Sequence, residues 1–419
     1  MLLYAGIHHE LWGDEVHSWN IAKASHSYAQ LLANKRYEGH PPAWYTLLWV
    51  LSKFTHQVRY IQVMHGLIAA AIAWIILFKA PFAPLTKVLL PFGYYFLYEY
   101  GVISRNYALG VLFAFCLCLV LQREFKYKQP LYYLLLFCLS NVHLLALLLA
   151  AGIHLYFLLD IRRGKTTFQL TEHALLGAAV LLPAAWFIHL PPGSEVDPYA
   201  WVHSWNVRQL TGFYVPMLRA FLPVPAWWNY HFWNTEFLFA SGDSLSILRI
   251  VFGWSLLAGC ILMLRKDREC MALFAANIIL SYILSVTVFQ LNTARHCGFI
   301  YIGFIVAWWL YCHRHPTVNS PWPDALLIVQ LIAGVFAVFW DIRHPFSNTG
   351  KVEELIVQVP RDRQLVSDYW TMNAVEAFTD TPIYCVDAQR EMSLVLFDSS
   401  LARVDNNPHR YTDGFRQLF

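Results

Sequence analysis

Charge is the scarcest thing in this chain. Only 14% of its 419 residues are Asp, Glu, Lys or Arg, against roughly one quarter in an ordinary soluble domain. A net charge of +3 is too small to argue for nucleic acid as a partner. No internal repeat, P-loop or dinucleotide fingerprint occurs. The eight cysteines form neither a disulfide framework nor a zinc spacing. All but Cys385 lie in or beside apolar stretches, where buried thiols are the simplest reading. A basic leader is absent too: Met1 to Ile7 is apolar but too short to cross a bilayer, which predicts that an upstream part of a first membrane helix is missing.

What the sequence has instead is apolar length. With 58% hydrophobic and 16% aromatic residues, it predicts a multispanning, all-α membrane protein. Candidate spans are Tyr60–Phe78, Leu85–Tyr98, Ser104–Leu121, Pro130–Ser140, His143–Leu159, Leu170–Leu190, Leu245–Leu264, Cys270–Leu291, Cys297–Cys312 and Pro323–Trp340. Leu85–Tyr98 and Pro130–Ser140 are short, and must borrow flanking residues or sit inside the bundle. Basic residues fall in alternate loops: Lys79 and Lys87; Arg123, Lys126 and Lys128; Arg162, Arg163 and Lys165; Arg265, Lys266 and Arg268; and Arg314. If these loops are cytoplasmic, the opening loop, Glu99–Ser104, Asn141–His143, Pro191–Ser244, Asn292–His296 and the tail all lie outside.

That alternation closes only if Pro42–Phe54 does not cross. It is therefore read, with Ala22–Leu32, as a juxtamembrane helix. Loop 191–244 carries YAWVHSWNVRQL and FYVPMLRAFLPVPAWWNYHFW, aromatic enough for interfacial helices or a lid over a cavity. Residues 1–340 form the membrane domain, with outer loops 10–59 and 191–244. Residues 341–419 read as a small extracytoplasmic α/β domain, with strands at Glu354–Val359, Pro382–Val386 and Met392–Phe397 and a helix over Asp362–Phe378.

The polar residues crowd the outer side. Asp14 and Glu15 lead, and a carboxylate pair beside a bilayer either lines a wet cavity or caps a neighbouring helix. His17, Trp19, Glu38 and His40 follow in the same loop, His40 within Gly39-His40-Pro41-Pro42. In YEYGVISRNYAL, Arg105 either grips a phosphate or pairs with Glu99, and Tyr107 lies two residues on. His143 is either a satisfied polar group or a ligand. Arg295 and His296 add a cation and an imidazole at the same level. No clean metal-ligand set is visible. Two carboxylates, two arginines and several histidines on one side suit a lipid-phosphate substrate, the arginines neutralising phosphate while a carboxylate accepts a proton.

The motifs carry a resemblance. Trp12-x-Asp14-Glu15-x-x-Ser18-Trp19, then Gly39-His40-Pro41-Pro42, resembles the first outer loop of GT-C glycosyltransferases, in particular the protein O-mannosyltransferases and lipid A aminoarabinose transferases. Ser104-Arg105-Asn106-Tyr107-Ala108-Leu109, the His143 turn and Arg295-His296 are similar to later family elements. The resemblance covers Leu11 to Trp340. It implies a GT-C-like helical bundle in a bacterial inner membrane with its active site on the extracytoplasmic face. It also implies an inverting enzyme that moves a sugar from a polyprenyl-phosphate donor to a glycan, lipid or protein acceptor. Asp14 is then the principal catalytic carboxylate with Glu15 beside it, His40 shapes the sugar pocket, and Arg105 and Arg295 meet the lipid phosphate. Cofactor needs are open, including a divalent metal. One departure is Ile103, where relatives often carry an acid; Glu99 is the expected substitute. The alternative class is a transporter or flippase for a lipid-linked or anionic solute. Such proteins usually show internal repeats and broken helices with polar groups at mid-membrane.

Overall fold

A computed structural model describes residues 2–164, 169–191, 194, 211–240, 242–316, 322–360 and 363–398. Seven of its helices are long and apolar enough to cross a membrane: Tyr60–Lys79, Leu144–Arg162, Leu170–Ile188, Ser246–Leu264, Arg268–Thr287, Ala294–Arg314 and Pro323–Arg343. At 1.5 Å per residue each reaches about 30 Å, the thickness of a hydrocarbon core. Ala294–Arg314 runs through the middle of the bundle with almost every side chain buried. The span expected over Cys270–Leu291 stops at Thr287, and the one expected to end at Trp340 continues to Arg343, so Asp341 belongs to the helix and not to the tail.

The short candidates are short in the structure. Asn106–Leu121 has 16 residues and Lys128–Ser140 has 13. The stretch expected as Leu85–Tyr98 is not one helix. It runs as Pro84–Leu89, a 3₁₀ turn at Leu90–Phe92 and a π turn at Tyr95–Glu99. Pro91 removes a helical N–H donor, and the π turn brings Tyr95 and Glu99 inward, both buried. Tyr95 and Tyr100 then press on Gly298 of the central helix. A Cβ there would stand 2.3 Å from the Tyr95 ring and from the Tyr100 hydroxyl.

The opening loop is helical. Helix α1 is Leu2–His8 and α2 is Gly13–Ala24. The Glu15 side chain reaches back to the Trp12 N–H at 3.0 Å, closing the first turn of α2. The single helix expected over Ala22–Leu32 is two. Ser25 Oγ donates to the Ile21 carbonyl at 2.6 Å, the chain turns, and Ser27 caps α3, Tyr28–Asn34, by accepting from Gln30 N–H. Gly39 takes a left-handed φ of 64°, and Pro41-Pro42 lead into α4, Ala43–Ser52. Ten residues span about 15 Å, too short to cross, so α4 packs Trp44, Tyr45 and Leu48 inward and lies along the bundle end. This is the arrangement the charge alternation requires.

Helix ends collect at two poles. At one, Asp14, Ser104, Arg105, Arg295 and Asp341 are joined by side-chain contacts through α2 and its flanks. At the other, Arg314 pairs with Asp160 and Asp267. Of loop 191–244 the described part holds helices Tyr214–Phe221 and Phe237–Ala240. Its YAWVHSWNVRQL stretch lies outside the described residues.

The C-terminal unit is α/β, but two of the three expected strands are displaced, and the helix expected over Asp362–Phe378 begins only at Tyr369, after a strand at Leu365–Ser367. Thr349–Gln358 is a helix, not a strand at Glu354–Val359. Its half-buried Val352, Ile356 and Val359 recur at helical spacing, a period masked by the adjoining Leu-Ile-Val run. The strands are β1 Leu365–Ser367, β2 Ile383–Cys385 and β3 Arg390–Met392. β2 is central, parallel to β1 with Leu365 opposite Ile383, and antiparallel to β3 with Ile383 opposite Met392. Asp368 caps the intervening helix Tyr369–Glu376 through the Trp370 and Thr371 N–H groups. Of the expected Met392–Phe397 strand only Met392 is paired, and residues 399–419 lie outside the described set. All eight cysteines are free thiols, Cys385 among the buried ones.

Replacing Gly298 by valine drives a branched side chain into Tyr95 and Tyr100. Overpacking of this kind costs about 1–3 kcal/mol. Thermal unfolding in detergent is expected to show a clearly lowered midpoint, and an unchanged midpoint refutes the close approach.

Candidate functional site

The first turn of α2 presents two adjacent carboxylates in opposite directions. Asp14 points outward and keeps 35% of its side chain exposed. Its Oδ2 accepts from Arg105 Nη1 at 2.9 Å and Arg295 Nη1 at 3.0 Å. Arg105 is the N-cap of Asn106–Leu121, and Arg295 is in the first turn of the central helix, so three separate helix starts meet on one oxygen. Partial burial alone would raise the Asp14 pKa, but the two guanidiniums outweigh it and hold the carboxyl below its usual range. One carboxylate against two arginines leaves a net positive charge in a partly open place.

Glu15 points inward and is used up. Its Oε1 accepts from Ser104 N–H at 2.5 Å, and its Oε2 from Trp12 N–H at 3.0 Å and His9 Nε2 at 3.1 Å. His9 Nδ1 donates to Asp341 Oδ2 at 3.0 Å, and the Glu15, His9 and Asp341 side chains are essentially inaccessible. Burial by itself would lower the His9 pKa. The two carboxylates reverse that and raise it from 6.5 to about 10. Glu15 is thus a buried anchor, with no free oxygen for a reacting group beside Asp14.

A second pair lies on the next turn. His17 Nε2 donates to Glu38 Oε1 at 2.6 Å and His17 Nδ1 to Asn373 Oδ1 at 3.1 Å. Glu38 Oε2 accepts from Tyr45 at 3.1 Å. Burial opposes both charges, but each holds the other ionised: the His17 pKa is raised and that of Glu38 lowered. Asn373 also donates to the Gly13 carbonyl at 3.1 Å. The C-terminal unit therefore grips the helix that carries Asp14.

Neutral imidazoles complete the surroundings. Burial, with Arg105 nearby, lowers His40 to about 4, and its Nδ1 has no hydrogen-bond partner among the described residues. His143 accepts from Ala146 N–H through Nδ1, which puts the proton on Nε2, buried and without a partner among the described residues. Burial, then the neighbouring His40, hold its pKa well below normal. The Tyr107 ring lies 4.8 Å from His143 and 6.3 Å from His296, and His296 Nδ1 meets Thr293 Oγ1 at 2.9 Å. The His143 Nε2–H and the Arg105 guanidinium near it are donors available to an anion.

Arg105 pairs with Asp14 and not with Glu99, because the π turn carries Glu99 away into the bundle. There its carboxylate accepts from Tyr94 at 3.0 Å and from Trp233 Nε1 at 3.2 Å. Trp233 still connects it to the site, since Arg295 stacks 5.5 Å from both the Trp12 and Trp233 rings. Trp19 faces the opposite way, fully buried in the core. The residues that sequence reasoning passed over are His9, Asp341, Asn373, Tyr45 and Trp233. His9 was visible as a polar residue at the loop's edge, but no pattern in the chain pairs it with Asp341 or Asn373 with His17. Among the described residues no three His, Cys, Asp or Glu side chains converge as a metal-holding group.

No family model matches the chain, and no curated protein matches it either.

Because the folded pKa of His9, about 10, lies above its ordinary 6.5, its charged state stabilises the fold fully below pH 6.5. That contribution is lost as pH rises through 10. The unfolding midpoint is expected to fall between pH 7 and 10 in the native protein, and to vary less with pH in His9→Gln. Equal pH slopes for both proteins refute a charged His9.

Proposed function

We propose that the chain is an integral-membrane glycosyltransferase of the GT-C type. In this reading it moves a sugar from a polyprenyl-phosphate donor to an acceptor hydroxyl on the extracytoplasmic face of a bacterial inner membrane. The observation that carries it is the meeting of Arg105 and Arg295 on one oxygen of a half-open Asp14, at a pole of an apolar helical bundle.

The chemistry needs a base and a place for negative charge. Asp14 accepts the acceptor hydroxyl's proton as that oxygen bonds to the anomeric carbon. The bond from that carbon to the phosphate oxygen breaks, its electron pair leaves with the polyprenyl phosphate, and attack from the opposite face inverts the centre. Arg105 and Arg295 then hold the charge that develops on the phosphate, with the free His40 and His143 nitrogens within the same surroundings. Asp14 occupies the arginines as a phosphate would, and so keeps them paired and aimed.

Asp14→Asn is the test, read with lipid-linked sugar donors and acceptors by mass spectrometry. Loss of the base is expected to cut turnover by roughly a hundredfold or more. Donor binding holds or tightens, because the arginines are released from their carboxylate. Transfer near the native rate ends the reading.

A further inference from the structure

The pole opposite Asp14 holds a charged cavity of about 580 Å³, lined by Arg163, Lys266, Asp267, Arg268, Glu269, Arg314 and His315. Its acids are already committed. Asp267 caps the helix Arg268–Thr287 through the Cys270 N–H at 3.0 Å and accepts from Arg314 Nη1 at 3.1 Å. Glu269 pairs with Arg163, and its other oxygen lies 3.6 Å from Arg314. Arg314 also pairs with Asp160. Lys266 and Arg268 are exposed and make no ion pair with any described residue. Arg163 keeps 41% of its side chain exposed despite its partner. The cavity thus presents unspent positive charge above a neutralised floor.

The neighbouring surface says what kind of anion fits. Ser246–Leu264 ends beside Lys266, and only 22% of its apolar window is buried. Ile261 and Leu262, one turn below the cavity, are 40% and 58% exposed. A basic pocket directly above an open apolar helix face is complementary to a molecule with an anionic head and hydrocarbon chains.

We propose that this pole binds an anionic phospholipid, its phosphate among Arg163, Lys266 and Arg268 and its acyl chains along the open face of Ser246–Leu264. The site is separate from Asp14 and holds whatever that pole does. A lipid here braces the ends of four helices, Leu144–Arg162, Ser246–Leu264, Arg268–Thr287 and Ala294–Arg314, which carry or adjoin the lining residues.

The protein is reconstituted in phosphatidylcholine vesicles with trace spin-labelled phosphatidylglycerol, and the immobilised fraction is compared with that of spin-labelled phosphatidylcholine. Native protein is expected to select phosphatidylglycerol. Lys266→Ala/Arg268→Ala, which disturbs no pairing, is expected to lower the selectivity by roughly fivefold for each charge removed. Arg123→Ala/Lys126→Ala, basic positions of another loop at the same pole, leaves it unchanged. Equal loss in both double variants, or no loss in the first, overturns the site. If millimolar inorganic phosphate displaces the labelled lipid from the native protein, the pocket takes a soluble anion and the lipid proposal fails.

Discussion

The Glu15 carboxylate is the joint on which the candidate site depends. It accepts from the Trp12 N–H, the Ser104 N–H and His9, and so ties the start of α2 to the turn before Asn106–Leu121. Asp14 and Arg105 are the chain neighbours of Glu15 and Ser104, and their pairing follows from this register. His9 extends the joint to Asp341 at the end of the last long helix. A buried carboxylate is expensive to desolvate. Here two of its oxygens meet two backbone donors and an imidazolium, and the Asp341 charge is shared through the same ring. Removing His9 would leave two buried carboxylates without the cation they share, so the three side chains are energetically coupled.

Around that joint some of the buried polar groups have partners among the described residues and others do not. Glu15, His9, Asp341, His17 and Glu38 have their partners. Asp14 is half-open, and His40 Nδ1 and His143 Nε2 have none. Both nitrogens lie near the Arg105 guanidinium that pairs with Asp14. The C-terminal unit belongs to this architecture. Through Asn373 it holds both the Gly13 carbonyl and His17, and Lys23 of α2 donates back to the Glu376 and Thr379 carbonyls. It stiffens the helix that presents Asp14.

Much of the helical layout was legible because bilayer length and hydrocarbon solvation act on composition alone. Apolar runs near 20 residues became helices of 19 to 22 residues, and α4 was correctly kept out of the set of spans by its length. The errors have local causes. Leu85–Tyr98 is apolar throughout, yet Pro91 and the packing of Tyr95 on Gly298 break it. Glu354–Val359 is rich in Leu, Ile and Val, which favour strands, yet its burial follows a helical period. The partner of Arg105 was also open between phosphate and Glu99, since spacing along the chain cannot decide between a residue six positions away and one 91 positions away.

By itself the sequence determined that the chain must form apolar helices, roughly where they lie, and that Asp14, Glu15, Arg105, His143 and Arg295 would share one pole. Hydrophobicity and basic-loop alternation are one-dimensional signals, and they suffice for that. Only the tertiary structure decided which of two neighbouring acids faces outward. Successive positions on a helix turn by about 100°, so Asp14 and Glu15 had to diverge. Which direction was interior depended on His9, Ser104 and Asp341, residues brought together solely by the packing of distant helices.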